Sequence, residues 1–313
     1  MSLASLLDSR LVMVTGKGGT GKSTYAAALG LLSAVRGKRT LICEIDSQMP
    51  ALEPIFGREV PFEPVDVLPN LAICNVRWAE ALEAYMRRAL PMRRLVRMVL
   101  ENRLVARFMD ITPGSREVVI LSRVHNLLEQ YDLVLVDMPA SGHAFSLLDV
   151  LRSLLALFRS GPVRQRALEI REMVHASTTR MAFVALPEDM VVNETIETYQ
   201  KMRRADLLGG PPALFVNGAT LPSLTDDERA LIQRLSTAEL DPVQAEFVRA
   251  GVWEDRLEQA TAEARDRLGE VLGTDPILVP PAGGGGVPRR VVGSVAVHLG
   301  RLVGITRRDL PWT

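Results

Sequence analysis

Seven short runs of apolar residues recur along the chain, at 11–15, 40–45, 71–76, 133–136, 181–186, 213–216 and 277–279, with helical spacing in most of the stretches between them. A strand buried on both faces shows no polar alternation, and parallel strands need a crossover to return the chain to the same edge. Runs of this kind between helices therefore predict an α/β fold, a doubly wound and mostly parallel sheet covered on both faces.

The stretch 77–130 is too long for a simple crossover. Its apolar residues Met86, Met92, Leu95, Val96, Val99, Leu104, Val105, Phe108 and Met109 fall mostly three or four apart, and Pro91 and Pro113-Gly114 mark breaks between helices. Seven arginines are interleaved with them over 87–107 against a single acid, Glu101. A basic amphipathic insertion of this kind either buries its stripe on the sheet or presents it to a partner. Two more helical regions are predicted at about 146–176 and 226–272, the second exposed and acidic, with twelve acids against six arginines. The glycines of 283–286, after Pro280-Pro281, read as a flexible turn.

These local excesses cancel, since 37 Lys and Arg balance 37 Asp and Glu in 313 residues, which excludes a general polyanion-coating protein. Two cysteines, Cys43 and Cys74, supply neither a disulfide framework nor a cysteine-rich metal site. No apolar run reaches the 18 residues or so of a membrane span, and the chain passes from Arg10 into a glycine-rich loop without a signal-peptide core. The expectation is a cytoplasmic protein.

That loop reads Gly16-Lys17-Gly18-Gly19-Thr20-Gly21-Lys22-Ser23-Thr24, between a predicted strand and an Ala/Leu-rich helix. Glycines let backbone N–H groups approach phosphate oxygens, and the helix N-terminus adds partial positive charge there. The pattern assigns Lys22 to the β- and γ-phosphates, Ser23 to Mg²⁺ and Thr24 to the α-phosphate. Only four lysines occur in the chain, and two of them are in this loop. Lys17 is redundant for holding phosphate within one subunit, but across a dimer interface it would neutralise charge in the transition state.

The K-G-G-x-G-K-[ST] form resembles the deviant-Walker P-loop ATPases. Asp137 follows the run 133–136 and opens Asp137-Met138-Pro139-Ala140-Ser141-Gly142-His143, similar to the second nucleotide switch of the ArsA arsenite-pump ATPases and the GET-pathway ATPases that target tail-anchored membrane proteins. Pro113-Gly114-Ser115-Arg116-Glu117, Ala185-Leu186-Pro187-Glu188 with Asn193-Glu194-Thr195, and Phe215-Val216-Asn217 line up with further elements of that group. The resemblance implies that Asp137 anchors a Mg²⁺-bound water, that Asn217 reads adenine and that Pro280 and Pro281 flank the base.

The first switch departs from the family's D-P-A-x-N and reads Asp46-Ser47-Gln48-Met49-Pro50. The role of orienting the attacking water is carried over to Asp46, with Glu44 as the alternative carboxylate. The cysteines that would bind arsenite or zinc are missing, so no such site is expected. One phosphate loop implies that a second half comes from another copy, as a homodimer or a heterodimer with a related ATPase.

Residues 1–313 are thus expected to form a single P-loop ATPase domain carrying the insertion at about 77–130 and the helical region at about 146–176. Catalysis is assigned to Asp46, Lys17 and Lys22, nucleotide binding to Gly16, Gly18, Gly19, Thr20, Gly21, Lys22, Ser23, Thr24, Asn217, Pro280 and Pro281, and the metal to Ser23 and Asp137. The expected activity is hydrolysis of ATP to ADP and phosphate, with Mg²⁺, driving binding and release of a hydrophobic helical client or membrane protein, in the cytoplasm or peripheral to a membrane. Two alternatives stand beside it: a MinD- or ParA-like positioning ATPase, and a slowly turning regulatory partner. For the positioning ATPase, the Pro-containing tail 307–313 is a poor membrane helix, and only 87–107 offers a basic face to DNA. Nucleic acid is therefore not expected as a partner.

Overall fold

The structure, a computed structural model, describes residues 1–89, 114–283 and 285–312. Eight strands form one sheet: β1 (Leu11–Thr15), β2 (Thr40–Ile45), β3 (Val65–Leu68), β4 (Leu71–Val76), β5 (Leu133–Asp137), β6 (Thr179–Ala185), β7 (Ala213–Asn217) and β8 (Ile277–Val279), in the order β3-β4-β2-β5-β1-β6-β7-β8. Every neighbouring pair is parallel except β3 with β4.

Side chains of a strand alternate between faces, and β1 shows how this makes two cores. Leu11 and Met13 belong to one buried cluster, Val12 and Val14 to the other. The second cluster is closed by α1 (Leu3–Leu7), α2 (Lys22–Val35), α3 (Leu52–Phe56) and α11 (Pro288–Arg301). The first is closed by α4 (Trp78–Ala89), α5 (Ser115–Leu127), α6 (Ser141–Leu157), α7 (Pro162–His175), α8 (Asp189–Arg204) and the C-terminal half of α10 (Pro242–Leu272). Both faces of the sheet are therefore covered, as the apolar runs require.

The observed strands depart from the expected runs by a residue or two at their ends, and β3 is an addition. Val65-Asp66-Val67-Leu68 is short and only half buried, and it pairs at the sheet edge through a turn in which Asn70 has φ 60°. The region 146–176 is two helices, because Gly161 with φ 95° precedes Pro162 at the first turn of α7, a start signal that also ends what came before. The region 226–272 likewise divides into α9 (Asp226–Leu235) and α10, each opened by a capping box, Thr225 with Glu228 and Asp241 with Gln244. The acidic stretch is not wholly solvent-facing: Asp255 and Glu258 are buried and pair with Arg229.

Within the insertion, α4 packs on α5, and α5 buries Val118, Val119, Ile120, Leu121 and Val124 against the sheet. That part of the insertion is core. The expected stripe from Met92 to Met109, with Pro91, Pro113 and the arginines among them, lies outside the described residues.

Candidate active site

Parallel strands open their C-terminal ends along one edge of the sheet, where doubly wound folds bind ligands. The phosphate loop leaves β1 there, Asp46 follows β2, Asp137 and Asn217 end β5 and β7, and Pro280 follows β8. The edge gathers residues more than two hundred positions apart.

The loop runs from Gly16 to α2, with Gly21 as its N-cap at φ 101°. At Gly16 a Cβ would stand 2.2 Å from the Val184 carbonyl oxygen, so the loop can pass β6 only without a side chain. Thr20 Oγ1 and Lys22 Nζ both donate to the Lys17 carbonyl, at 2.9 and 3.1 Å. Asn217 Nδ2 donates to the Thr20 carbonyl at 2.9 Å, and the Tyr25 hydroxyl donates to Asn217 Oδ1 at 3.3 Å. Gly18 and Gly19 lie on the open side, where a Cβ would meet nothing within 4 Å. Thr24 is half-buried in the first turn of α2.

Burial pushes the Lys22 ammonium down from its usual range, and the negative charges of Asp137 and Glu194 pull it back. Ser23 Oγ donates to Asp137 Oδ2 at 2.5 Å, while Asp137 Oδ1 is buried with no hydrogen-bond partner among the described residues. Burial raises the Asp137 carboxyl to about 6, against the Ser23 hydrogen bond and the Lys22 charge. A hydroxyl beside a carboxylate with an unused buried oxygen is a hard-oxygen donor set that fits Mg²⁺.

Glu44 pairs with Asp137 in the β2–β5 register. Its Oε1 accepts from the backbone N–H of Ala51 at 2.6 Å and of Leu52 at 3.3 Å, and its Oε2 is buried without a partner among the described residues. Burial lifts this carboxyl to about 7, with the Ala51 hydrogen bond opposing and Asp137 adding to the rise. Asp46 has φ 45°, and its Oδ1 accepts from the Trp78 N–H at 3.2 Å. Asn75 holds Ser47 through two hydrogen bonds, at 3.1 and 2.7 Å, so the first switch is tied to the end of β4.

The second switch folds back on the loop, where the Ser141 N–H donates to the Gly16 carbonyl at 3.1 Å. Ser141 Oγ also donates to Glu194 Oε1, and Glu194 Oε2 lies 3.6 Å from Lys17 Nζ. Gly142 and His143 are exposed at the start of α6. At the far end of the edge, Val279 pairs with Asn217, which sets half-buried Pro280 and exposed Pro281 beside it. Cys43 and Cys74 face each other across β2 and β4, buried, with Sγ atoms 3.4 Å apart.

Strand, glycine loop and helix, with a half-buried lysine beside a hydroxyl–carboxylate pair, define a P-loop enzyme that binds nucleotide and hydrolyses ATP. The chain belongs to the anion-transporting ATPase family, whose sequence model matches residues 9–240. It is 28% identical over 260 residues to the ATPase BagA of Mycobacterium tuberculosis, covering 78% of this chain and 73% of the relative. A protein of Aquifex aeolicus named as an arsenical pump-driving ATPase is 22% identical over 241 residues, covering 71% and 59% of the two chains. An ATPase of Entamoeba dispar named as an ASNA1 homologue is 31% identical over 157 residues, covering 46% and 47%.

The structure thus brings Lys17, Lys22, Ser23, Asp137 and Asn217 around one loop, and turns Asp46 toward Trp78. Sequence reasoning gave Glu194 and Ser141 no role of their own; the Asn193-Glu194-Thr195 and Asp137–His143 resemblances pointed only to their segments. Among the described residues no helix is long and apolar enough to cross a membrane.

Proposed function

We propose that residues 1–313 act as one ATPase domain in a Mg²⁺- and ATP-dependent dimeric switch. Lys17 carries this reading. Lys22 already braces the loop from within, and the Lys17–Glu194 pair is partly exposed, with 30% and 37% of the side chains accessible. Such a pair is weak, so Lys17 can exchange Glu194 for phosphate on a second copy, where a trans cation stabilises transition-state charge.

In this reading the backbone of Gly16, Gly18, Gly19, Thr20 and Gly21 cradles the phosphates, Lys22 takes the β- and γ-phosphates, and Thr24 reaches the α-phosphate. Asn217, Pro280 and Pro281 hold the base. Ser23 and Asp137 hold Mg²⁺, which when bound neutralises phosphate charge. Asp46 leaves the Trp78 N–H to orient the attacking water. The partner is a second copy or a related ATPase. The client is an apolar helix or membrane-protein segment, received by the insertion at about 77–130 together with the helical region at about 146–176, where Leu157 is exposed; work at a membrane surface or in the cytoplasm follows from that client.

The test is the mass of the protein by light scattering with and without a non-hydrolysable ATP analogue and Mg²⁺. A dimer that appears only with the analogue is expected, and a monomer that hydrolyses ATP at the full rate would overturn the reading. For the client, changing Met92, Val96 and Val99 to Ser is expected to weaken apolar-peptide binding and leave the melting temperature unchanged. A large fall in melting temperature would make the stripe core instead.

A further inference from the structure

Glu44 stands where a strand buried on both faces otherwise places apolar side chains: Leu41, Ile42 and Cys43 before it are fully buried, and Glu44 itself is 3% exposed. A buried carboxylate is costly unless its charge and lone pairs are met. Only half of that demand is met within the chain, because Oε1 takes the Ala51 and Leu52 N–H groups and Oε2 has no partner among the described residues. Capping α3 uses Oε1 alone, so it does not account for the second buried oxygen, Oε2.

Its neighbour repeats the pattern. Asp137 is the register partner of Glu44 on β5, and Asp137 Oδ1 is also buried and unpartnered while Oδ2 holds Ser23. Register partners on adjacent parallel strands leave the sheet on the same face. Two carboxylates therefore stand side by side at the strand ends, each with one oxygen used by the protein and one unused. Like charges so placed repel, and a cation between them reverses the sign of that interaction.

The geometry points to Glu44 as a positioning residue for the divalent cation held by Ser23 and Asp137, with Oε2 accepting from the ion's water shell while Oε1 fixes the segment that follows Asp46. This rests on the Mg²⁺–ATP reading of the site. It deepens that reading by linking the metal to the first switch: the residue that feels the ion also holds the backbone of Ala51 and Leu52, just beyond Asp46-Ser47-Gln48-Met49-Pro50.

The link is tested by Mn²⁺ binding, read from the electron paramagnetic resonance of the unbound ion, with a non-hydrolysable ATP analogue present. Glu44→Gln keeps a carbonyl oxygen for the Ala51 and Leu52 N–H groups and puts an NH₂ where the second acceptor stood. Outer-shell partners of metals are worth about 10–100-fold in affinity, so a loss of about that size is expected, with melting temperature and chelator-state nucleotide affinity within twofold of wild type. Glu44→Asp, which keeps the charge but shortens the reach, should fall between the two and serves if Glu44→Gln does not fold. A Glu44→Gln loss under threefold, beside a loss above tenfold for Asp137→Asn, would overturn the role of Glu44 and leave the metal site standing. No loss in either variant would remove the metal site as well, and an equal loss of nucleotide affinity in chelator would reduce Glu44 to a structural cap.

Discussion

Lys17 Nζ lies 3.6 Å from Glu194 Oε2, and the other oxygen of Glu194 is taken by Ser141 at the start of the second switch. One carboxylate thus restrains both the extra lysine of the phosphate loop and the segment following Asp137. Glu194→Gln keeps the Ser141 hydrogen bond and removes the charge, so it should lower the protein concentration needed for ATP-dependent dimerisation, by severalfold in light scattering. Lys17→Ala should bind ATP as a monomer and lose about 10³-fold or more in turnover. A Lys17→Ala rate within tenfold of wild type would exclude the trans cation.

In the proposed ATP site Lys22 is the main side-chain countercharge in a cradle otherwise made of N–H groups. Hydrogen bonds to charged groups contribute about 1.5–3 kcal/mol, so Lys22→Ala should weaken ATP binding about 10–100-fold by calorimetry. The same dissociation constant in wild type and variant would mean that nucleotide binds elsewhere.

Asp46→Asn preserves an oxygen for the Trp78 N–H and so should leave fold and ATP affinity unchanged. General acid–base groups are worth about 10²–10⁴-fold, and single-turnover hydrolysis should slow by that much. A rate within threefold of wild type would move the task to another carboxylate.

Asp137 supports a prediction in pH. In chelator its carboxyl sits at about 6, above its ordinary 3.8, because of burial. The folded state then holds a proton that the unfolded state releases, so stability falls as pH rises from about 3.8 to 6 and stays lower above that. Asp137→Asn, which does not titrate, should gain on the order of 1–3 kcal/mol over wild type at pH 8 relative to the difference at pH 4, while losing Mg²⁺-dependent hydrolysis. Parallel melting curves at the two pH values would identify a structural aspartate instead.

Arg229 holds the α9–α10 hairpin together. It reaches Asp255 at 2.9 Å and pairs with Glu258, which also accepts from Ser223 and Leu224. Breaking a buried pair from one side costs about 3–5 kcal/mol. Glu258 keeps its other donors, so Arg229→Ala should cost about 3 kcal/mol in denaturant melts. A loss under 1 kcal/mol would show that apolar contacts alone hold the hairpin.

The parallel strands were legible because burial on both faces writes them as apolar runs, and the phosphate loop because its glycines are demanded by close approach, as at Gly16 against Val184. The edge strand β3 was not, since Val65, Val67 and Leu68 are half-buried, Asp66 is exposed, and their pairing depends on a turn at Asn70 rather than on any run. Asp137 could be read from its place at a strand end. Glu194 was legible only through the Asn193-Glu194-Thr195 resemblance, because its place on α8 opposite Lys17 is a contact spanning 177 positions of chain that no local spacing encodes. Glu44 was legible as the alternative carboxylate to Asp46, and only the β2–β5 register made its neighbour Asp137 evident.

Asn217, donating to the Thr20 carbonyl while accepting from Tyr25, ties the phosphate loop to the end of β7 before nucleotide arrives. Preorganisation of that kind removes the ordering cost that a loose loop would impose on each encounter. Capture should therefore be fast and almost the same for ATP and ADP. In the proposed dimeric switch, the lifetime of each complex, and hence the direction of exchange, is then governed by the two switch segments and by a second copy closing over them.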